Sequence, residues 1–111
     1  MVVTTDDLYI LGHYEYGEAF FGSVSGMNYR VERDPFKNVK FAKPEEKAGA
    51  HLKVYIWPGP RNFATTDPSL IETKLFDFSD EGKAEAAAYI SETYEKDKEK
   101  WDDIKDKGLF G

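Results

Sequence analysis

Two histidines are the first side chains to consider for acid–base or metal chemistry. They are His13 and His51, and the chain contains no cysteine. The histidines do not have the spacing of metal ligands and neither lies in an HExxH pattern, so we predict no metal site. His51 precedes a predicted strand and is interpreted as a surface residue. His13 is considered as a proton donor, which requires a pocket that one histidine cannot supply alone.

Adjacent carboxylates are the second set of groups with the right chemistry. The pairs are Asp6–Asp7, Glu45–Glu46, Asp80–Glu81 and Asp102–Asp103. Acidic residues stabilise the first turn of a helix, and adjacent helical residues do not share a face. Catalysis by paired carboxyls needs two groups held across a substrate by different elements. Each pair therefore has a structural explanation, and we predict no catalytic residue.

Sequence motifs for phosphate binding and nucleophilic catalysis do not occur. The glycines form neither GxGxxG nor GxxxxGK, and no serine lies in a GxSxG pattern. We predict no cofactor.

The segment from Trp57 to Phe63 is chemically the most distinctive loop, because it combines aromatic, cationic and amide side chains. Functional residues concentrate on loops, so Trp57 and Arg61 are candidate binding residues. One interpretation is a small-ligand binding domain or enzyme with a pocket between the sheet and the 58–72 connection, whose walls would also include Tyr14 and His13. The structural interpretation is a strand end in which Phe63 tucks beneath the loop.

Aromatic side chains on the outer side of the predicted sheet form another candidate surface. Tyr55 and Trp57 would lie there, and further members would be Phe21 and either Tyr14 or Tyr16. An exposed aromatic patch indicates a binding surface when it is contiguous. The alternative is that the N-terminal segment or residues 61–71 cover these rings.

The acidic composition argues against two classes of partner, nucleic acids and anionic membranes. The 111 residues carry a net charge of −6. Nucleic-acid and anionic membrane surfaces require clustered basic residues, so we predict neither partner. Mimicry of nucleic acid by the acidic surface is an alternative, although the lysines interrupt the negative charge.

No long apolar run or leader-like N-terminus is present, and we expect a cytoplasmic protein of one domain.

Strand patterns precede residue 79 and a helical pattern follows it. Strands are predicted at 19–24 and 27–33 around a Ser25-Gly26 turn whose glycine permits a positive φ, at 52–57 and at 73–78. In the first hairpin Phe20 would pair with Val31, Gly22 with Tyr29 and Val24 with Met27 on the core face, and the opposite face would be mostly solvated. The residues predicted to be buried are Phe20, Val24, Tyr29, Val31, Leu52, Val54, Ile56, Phe76, Phe78, Ala87, Ile90 and Tyr94. Residues 13–18 are a possible extension of the first strand, and 38–41 a short additional one. The sequence therefore predicts an α+β fold, an antiparallel sheet of four to five strands with one long C-terminal helix packed on one face.

The helical pattern continues from Ser79, the predicted N-cap, to Gly108, the predicted C′ residue, beyond which Leu109 would contact Ile104. A helix over 80–107 would span roughly 40 Å, and a strand of this sheet about 20 Å, so about half of the helix should project beyond the sheet. Trp101 and Ile104 would then need a cover. We predict a non-enzymatic protein-interaction module that binds a second copy of itself or another protein through this helix.

Overall fold

Four antiparallel strands, adjacent in chain order, form the sheet. They are β1 (Phe20–Val24), β2 (Met27–Asp34), β3 (His51–Pro58) and β4 (Glu72–Asp77). The coordinates are a computed structural model that describes residues 2–59 and 63–108. The predicted α+β class, with an antiparallel sheet and a long helix packed on it, is confirmed.

The register of the first hairpin is the one that the sequence predicts. Phe20 pairs with Val31, Gly22 with Tyr29 and Val24 with Met27. A Cβ atom at Gly22 would collide with the ring of Tyr29, so the tyrosine covers the space that the glycine leaves. The face of the sheet that contains these residues is called the inner face below. The opposite, outer face contains Phe21, Arg30 and Tyr55.

The turn between β1 and β2 differs from the prediction in one respect. The sequence assigns the positive φ to Gly26, whereas Ser25 adopts it, with φ 56°. Gly26 is needed for another reason, because a Cβ atom there would collide with the Trp101 carbonyl and with Ile104. Ser25 thus adopts the left-handed backbone conformation of the turn. Gly26, which lacks a Cβ atom, leaves room for the close approach of Trp101 and Ile104.

Within residues 2–59 and 63–108, four α-helices accompany the sheet. They are α1 (Leu11–Glu15), α2 (Pro44–Lys47), α3 (Asp80–Lys96) and α4 (Lys98–Gly108). The Ser79 side chain accepts a hydrogen bond of 3.0 Å from the Gly82 amide, as predicted for the N-cap. Within the part of the chain that the structure describes, no helix is both long and apolar enough to cross a bilayer.

The expected uninterrupted helix is wrong, because Asp97 separates α3 from α4 with φ −123° and ψ 36°. The break lies inside the charged run 95–100, whose residues are exposed. It redirects α4 onto the β1–β2 turn, where the Gly26 amide donates to the Trp101 carbonyl at 3.1 Å. The expected projection of Trp101 beyond the sheet is therefore also wrong.

The core lies between the inner face and α3. All members of the predicted buried set belong to this core or pack against it: Phe20, Val24, Tyr29, Val31, Leu52, Val54, Ile56, Phe76, Phe78, Ala87, Ile90 and Tyr94. The N-terminal segment contributes residues that the prediction omitted. Val3 is buried, and its amide and carbonyl both bond to the Ser91 hydroxyl, at 2.9 and 2.8 Å.

Two predicted strand segments have a different structure. Residues 13–18 include the end of α1 and a turn with Gly17 at φ 83°, so they do not extend β1. Residues 38–41 form a turn, in which the Ala42 amide bonds to the Val39 carbonyl at 3.0 Å. Both errors arise because aromatic and apolar residues in short segments are compatible with either structure.

Candidate functional site

The outer face of the sheet contains a guanidinium surrounded by aromatic rings. The Arg30 Cζ atom lies 5.1 Å from the ring centroid of Phe21, 5.0 Å from Phe36, 5.8 Å from Tyr55 and 4.9 Å from Phe63. Phe21 and Tyr55 are brought there by the strands, as neighbours of Arg30 in register. Phe36 and Phe63 come from the connections after β2 and β3. We call these five residues the aromatic face.

A buried carboxylate fixes the arginine. Glu32 is 4% exposed and accepts a hydrogen bond of 2.8 Å from Arg30 Nη2. Burial raises the pKa of Tyr55, and the hydrogen bond between its hydroxyl and Glu32 raises that pKa further. Tyr55 therefore remains a neutral donor, and the charges of Arg30 and Glu32 are held together where water has little access.

The connection after β3 covers part of the outer face, as the structural interpretation of that loop predicts. Phe63 contacts the rings of Tyr55 and Trp57 edge-on, at centroid distances of 5.0 and 5.3 Å. Trp57 is consequently 3% exposed. Phe21 and Phe36 remain 57% and 48% exposed, so these two rings are the accessible part of the aromatic face.

An apolar pocket adjoins the aromatic face. Its volume is about 380 Å³. The lining residues are Tyr55, Phe63, Ala64, Thr66, Pro68, Ile71 and Thr73. It lies between β3, β4 and the connection that joins them, in the region where the sequence suggests a ligand pocket. Tyr14 and His13 do not line it, because both lie in α1, and Tyr14 belongs to the core between the inner face and α3.

The predicted binding residues fall into separate environments. Tyr55 and Trp57 lie together on the outer face. Trp101 is 4% exposed and donates its indole N–H to the Thr93 carbonyl at 3.1 Å, and Ile104 is half-buried against the core. These two residues are covered by their own chain. Arg61 and Leu109 lie outside the described residues.

The groups with acid–base potential do not converge in the described part of the chain. His13 Nδ1 lies 3.0 Å from the Glu18 carboxylate, and both side chains are about half exposed. His51 is the first residue of β3, and it is opposite Asp34 of β2 and Asp77 of β4 in register. Among residues 2–59 and 63–108, no group of three or more histidine, aspartate and glutamate side chains is arranged to hold a metal ion.

Sequence reasoning missed Arg30, Phe36 and Glu32 as parts of a site. Strand alternation placed Arg30 and Glu32 on a face interpreted as mostly solvated. The available signal was Phe21, directly across the predicted hairpin from Arg30. Phe36 gave no signal, because it follows Pro35 in a connection whose path the sequence does not determine.

Comparisons with protein-family models, with curated proteins and with solved structures find no match to this chain. The outer face presents aromatic rings, a guanidinium and an apolar pocket, and groups of these kinds can bind a partner or a ligand.

Proposed function

We propose that this protein is a non-enzymatic protein-interaction module that binds its partner through the aromatic face. The observation that carries the proposal is the pair Phe21 and Phe36, both about half exposed and both in contact with Arg30. Aromatic residues and arginine dominate the binding energy of many interfaces. Contiguous exposed apolar groups with a polar rim are typical of interaction surfaces.

The partner in this proposal is a second copy of the chain or a different protein. Sequence reasoning placed the contact on the C-terminal helix because Trp101 needed a cover. Since the chain itself covers Trp101, the aromatic face is the better contact surface. With a net charge of −6, nucleic acid and anionic membranes remain disfavoured as partners. We place the protein in the cytoplasm, in keeping with its lack of cysteine.

The proposal is tested by removing the exposed rings without touching the core. Phe21→Ser and Phe36→Ser should each reduce capture of the partner from the native cells, measured by quantitative mass spectrometry of the tagged protein. Light scattering of each variant reports loss of a homodimer. Phe41→Ser is the matched control, because Phe41 is 91% exposed and is not one of the rings around Arg30. Equal capture by all three variants would contradict the proposal.

A second candidate function is small-ligand binding in the apolar pocket. The observation that favours it is the pocket itself, which has aromatic walls and a volume of about 380 Å³. Pockets of this type hold small apolar molecules oriented by a few polar groups. A thermal-shift screen against metabolites would identify such a ligand. Stabilisation that Ile71→Ala weakens supports this function, and the absence of any shift counts against it.

A further inference from the structure

The outer edge of β4 has backbone groups that point away from the sheet. In a two-residue hairpin, Val24 and Met27 exchange both hydrogen bonds, and the bonding side then alternates along each strand. Following the register across the sheet, residues 72, 74 and 76 bond to β3. Thr73 and Leu75 therefore direct their N–H and C=O groups outward, where the described part of the chain supplies no partner.

The same two residues lie beside the apolar pocket. Thr73 lines it, and Leu75 is 48% exposed on the same face of the sheet. A strand added to this edge would place alternate side chains on the outer face. One of them would enter the pocket beside Tyr55 and Ile71, and the next would pack on Leu75. Backbone pairing together with pockets for alternate side chains is the way in which sheet edges recognise extended peptides.

Lys74, between Thr73 and Leu75, would determine which charge is preferred at the facing position of an added strand. Lys74 points to the inner face, where its ammonium lies 5.1 Å from the ring centroid of Tyr89 and 5.6 Å from that of Phe76. It forms no ion pair with a carboxylate in the described ranges. An acidic residue directly across an antiparallel ladder from a lysine is stabilising, and a basic one is destabilising.

We propose that the outer edge of β4 binds an extended peptide segment of another protein with an apolar–acidic–apolar sequence. The segment runs antiparallel to β4. Its acidic residue faces Lys74, one apolar residue faces Leu75 and the other enters the pocket next to Thr73. This inference rests on the proposed interaction function and specifies the form of the partner.

The test uses the full chain and a capped peptide with the central sequence Leu-Glu-Phe between threonines. We expect binding by fluorescence anisotropy, with amide shifts at Thr73 and Leu75 in NMR spectra. Replacing glutamate by lysine in the peptide should weaken binding about fivefold, and Lys74→Glu should reverse that preference. Absence of binding by the first peptide, or an unchanged preference in Lys74→Glu, would overturn the proposal.

Backbone methylation of the peptide tests the edge without altering the protein. Methylating the amides of leucine and phenylalanine removes the donors that face β4 and should weaken binding at least about tenfold. Methylating the glutamate amide, which points away, should have little effect. Equal effects of the two modifications would also overturn the proposal. If the edge proposal fails while Phe21→Ser still loses its partner, the interaction function stands; if capture is also unchanged, both fail.

Discussion

At the scale of single residues, Asp102 joins three elements. Its carboxylate accepts hydrogen bonds from Ser25 in the β1–β2 turn, at 2.6 Å, and from Tyr94 in α3, at 2.8 Å. The sequence shows Asp102 only as one of two adjacent acids on a helix. Its partners are distant in the chain, and their convergence depends on the break at Asp97, which the charged run did not reveal.

The carboxylate of Asp102 should make stability sensitive to acid. The hydrogen bonds from Ser25 and then Tyr94 lower the pKa of Asp102 below its ordinary value of 3.8. The folded state thus binds this proton less readily than the unfolded chain, so the contribution exists above 3.8 and disappears as pH falls through the folded pKa. Urea unfolding across this range should show a shallower loss of stability in Asp102→Asn. The exposed Asp106→Asn is the control, and the same change in both variants would contradict the expectation.

Arg33 is a second residue whose role depends on tertiary structure. It is 1% exposed on the inner face, and its Nη1 donates to the Pro35 carbonyl at 2.8 Å. Arg33→Ala should lower the free energy of unfolding by about 2–4 kcal/mol, because it leaves a cavity and a carbonyl without its donor. Arg33→Lys retains the positive charge but lacks the planar guanidinium. Chemical denaturation should therefore place it between the wild type and alanine, and full recovery by lysine would contradict this role.

At the scale of elements, most strands could be predicted and their connections could not. Alternation in 52–57 identified Leu52, Val54 and Ile56 as inner-face residues, because one buried face fixes the side-chain period of a strand. The same alternation placed Trp57 on the outer face and left two alternatives, an exposed ring or a ring covered by residues 61–71; Phe63 contacts it in the structure. The connections after β2 and β3 bring Phe36 and Phe63 to Arg30, and their paths depend on contacts between residues that are separated in the chain.

The contact between α4 and the β1–β2 turn should depend on Gly26. Gly26→Ala places a Cβ atom against the Trp101 carbonyl and the Ile104 side chain, neither of which can move without displacing α4. We expect a loss of about 1–3 kcal/mol in stability and faster hydrogen exchange throughout α4. Gly12→Ala is the matched control, because its Cβ atom would meet only the flexible end of Lys40. Unchanged exchange in α4 of the Gly26 variant would show that this approach is not close in solution.

At the scale of the whole molecule, the sheet separates two clusters of different size. The inner face, α3 and the N-terminal segment form the main core. On the outer face, four rings and Glu32 surround Arg30, and part of this cluster remains accessible. Hydrophobic periodicity identifies the first cluster because it repeats along each element. The second is assembled from single residues of several segments, so periodicity alone does not identify it as a binding site.

Each cluster contains a wholly or partly buried tyrosine, Tyr14 in one and Tyr55 in the other, which should limit the stability of the molecule at alkaline pH. Burial raises the pKa of Tyr14 in the main core and of Tyr55 on the outer face above the ordinary value of 10.0. The folded state holds these protons more tightly than the unfolded chain. Their contribution is therefore complete below 10.0 and is lost as pH rises toward the folded pKa values.

The variant Tyr14→Phe tests how much tyrosine ionisation in the main core alone contributes to the loss of stability at alkaline pH. The variant loses the ionisable group but keeps the ring, and its cost at neutral pH should be about 1 kcal/mol, because the Tyr14 hydroxyl accepts a hydrogen bond from the Tyr9 amide at 3.3 Å. Above 10.0 its stability should fall less steeply than that of the wild type, as measured by urea unfolding at successive pH values. Tyr16→Phe, at a residue 46% exposed, serves as the control and should follow the wild type. Parallel curves for wild type and Tyr14→Phe would mean that ionisation of Tyr14 does not limit alkaline stability.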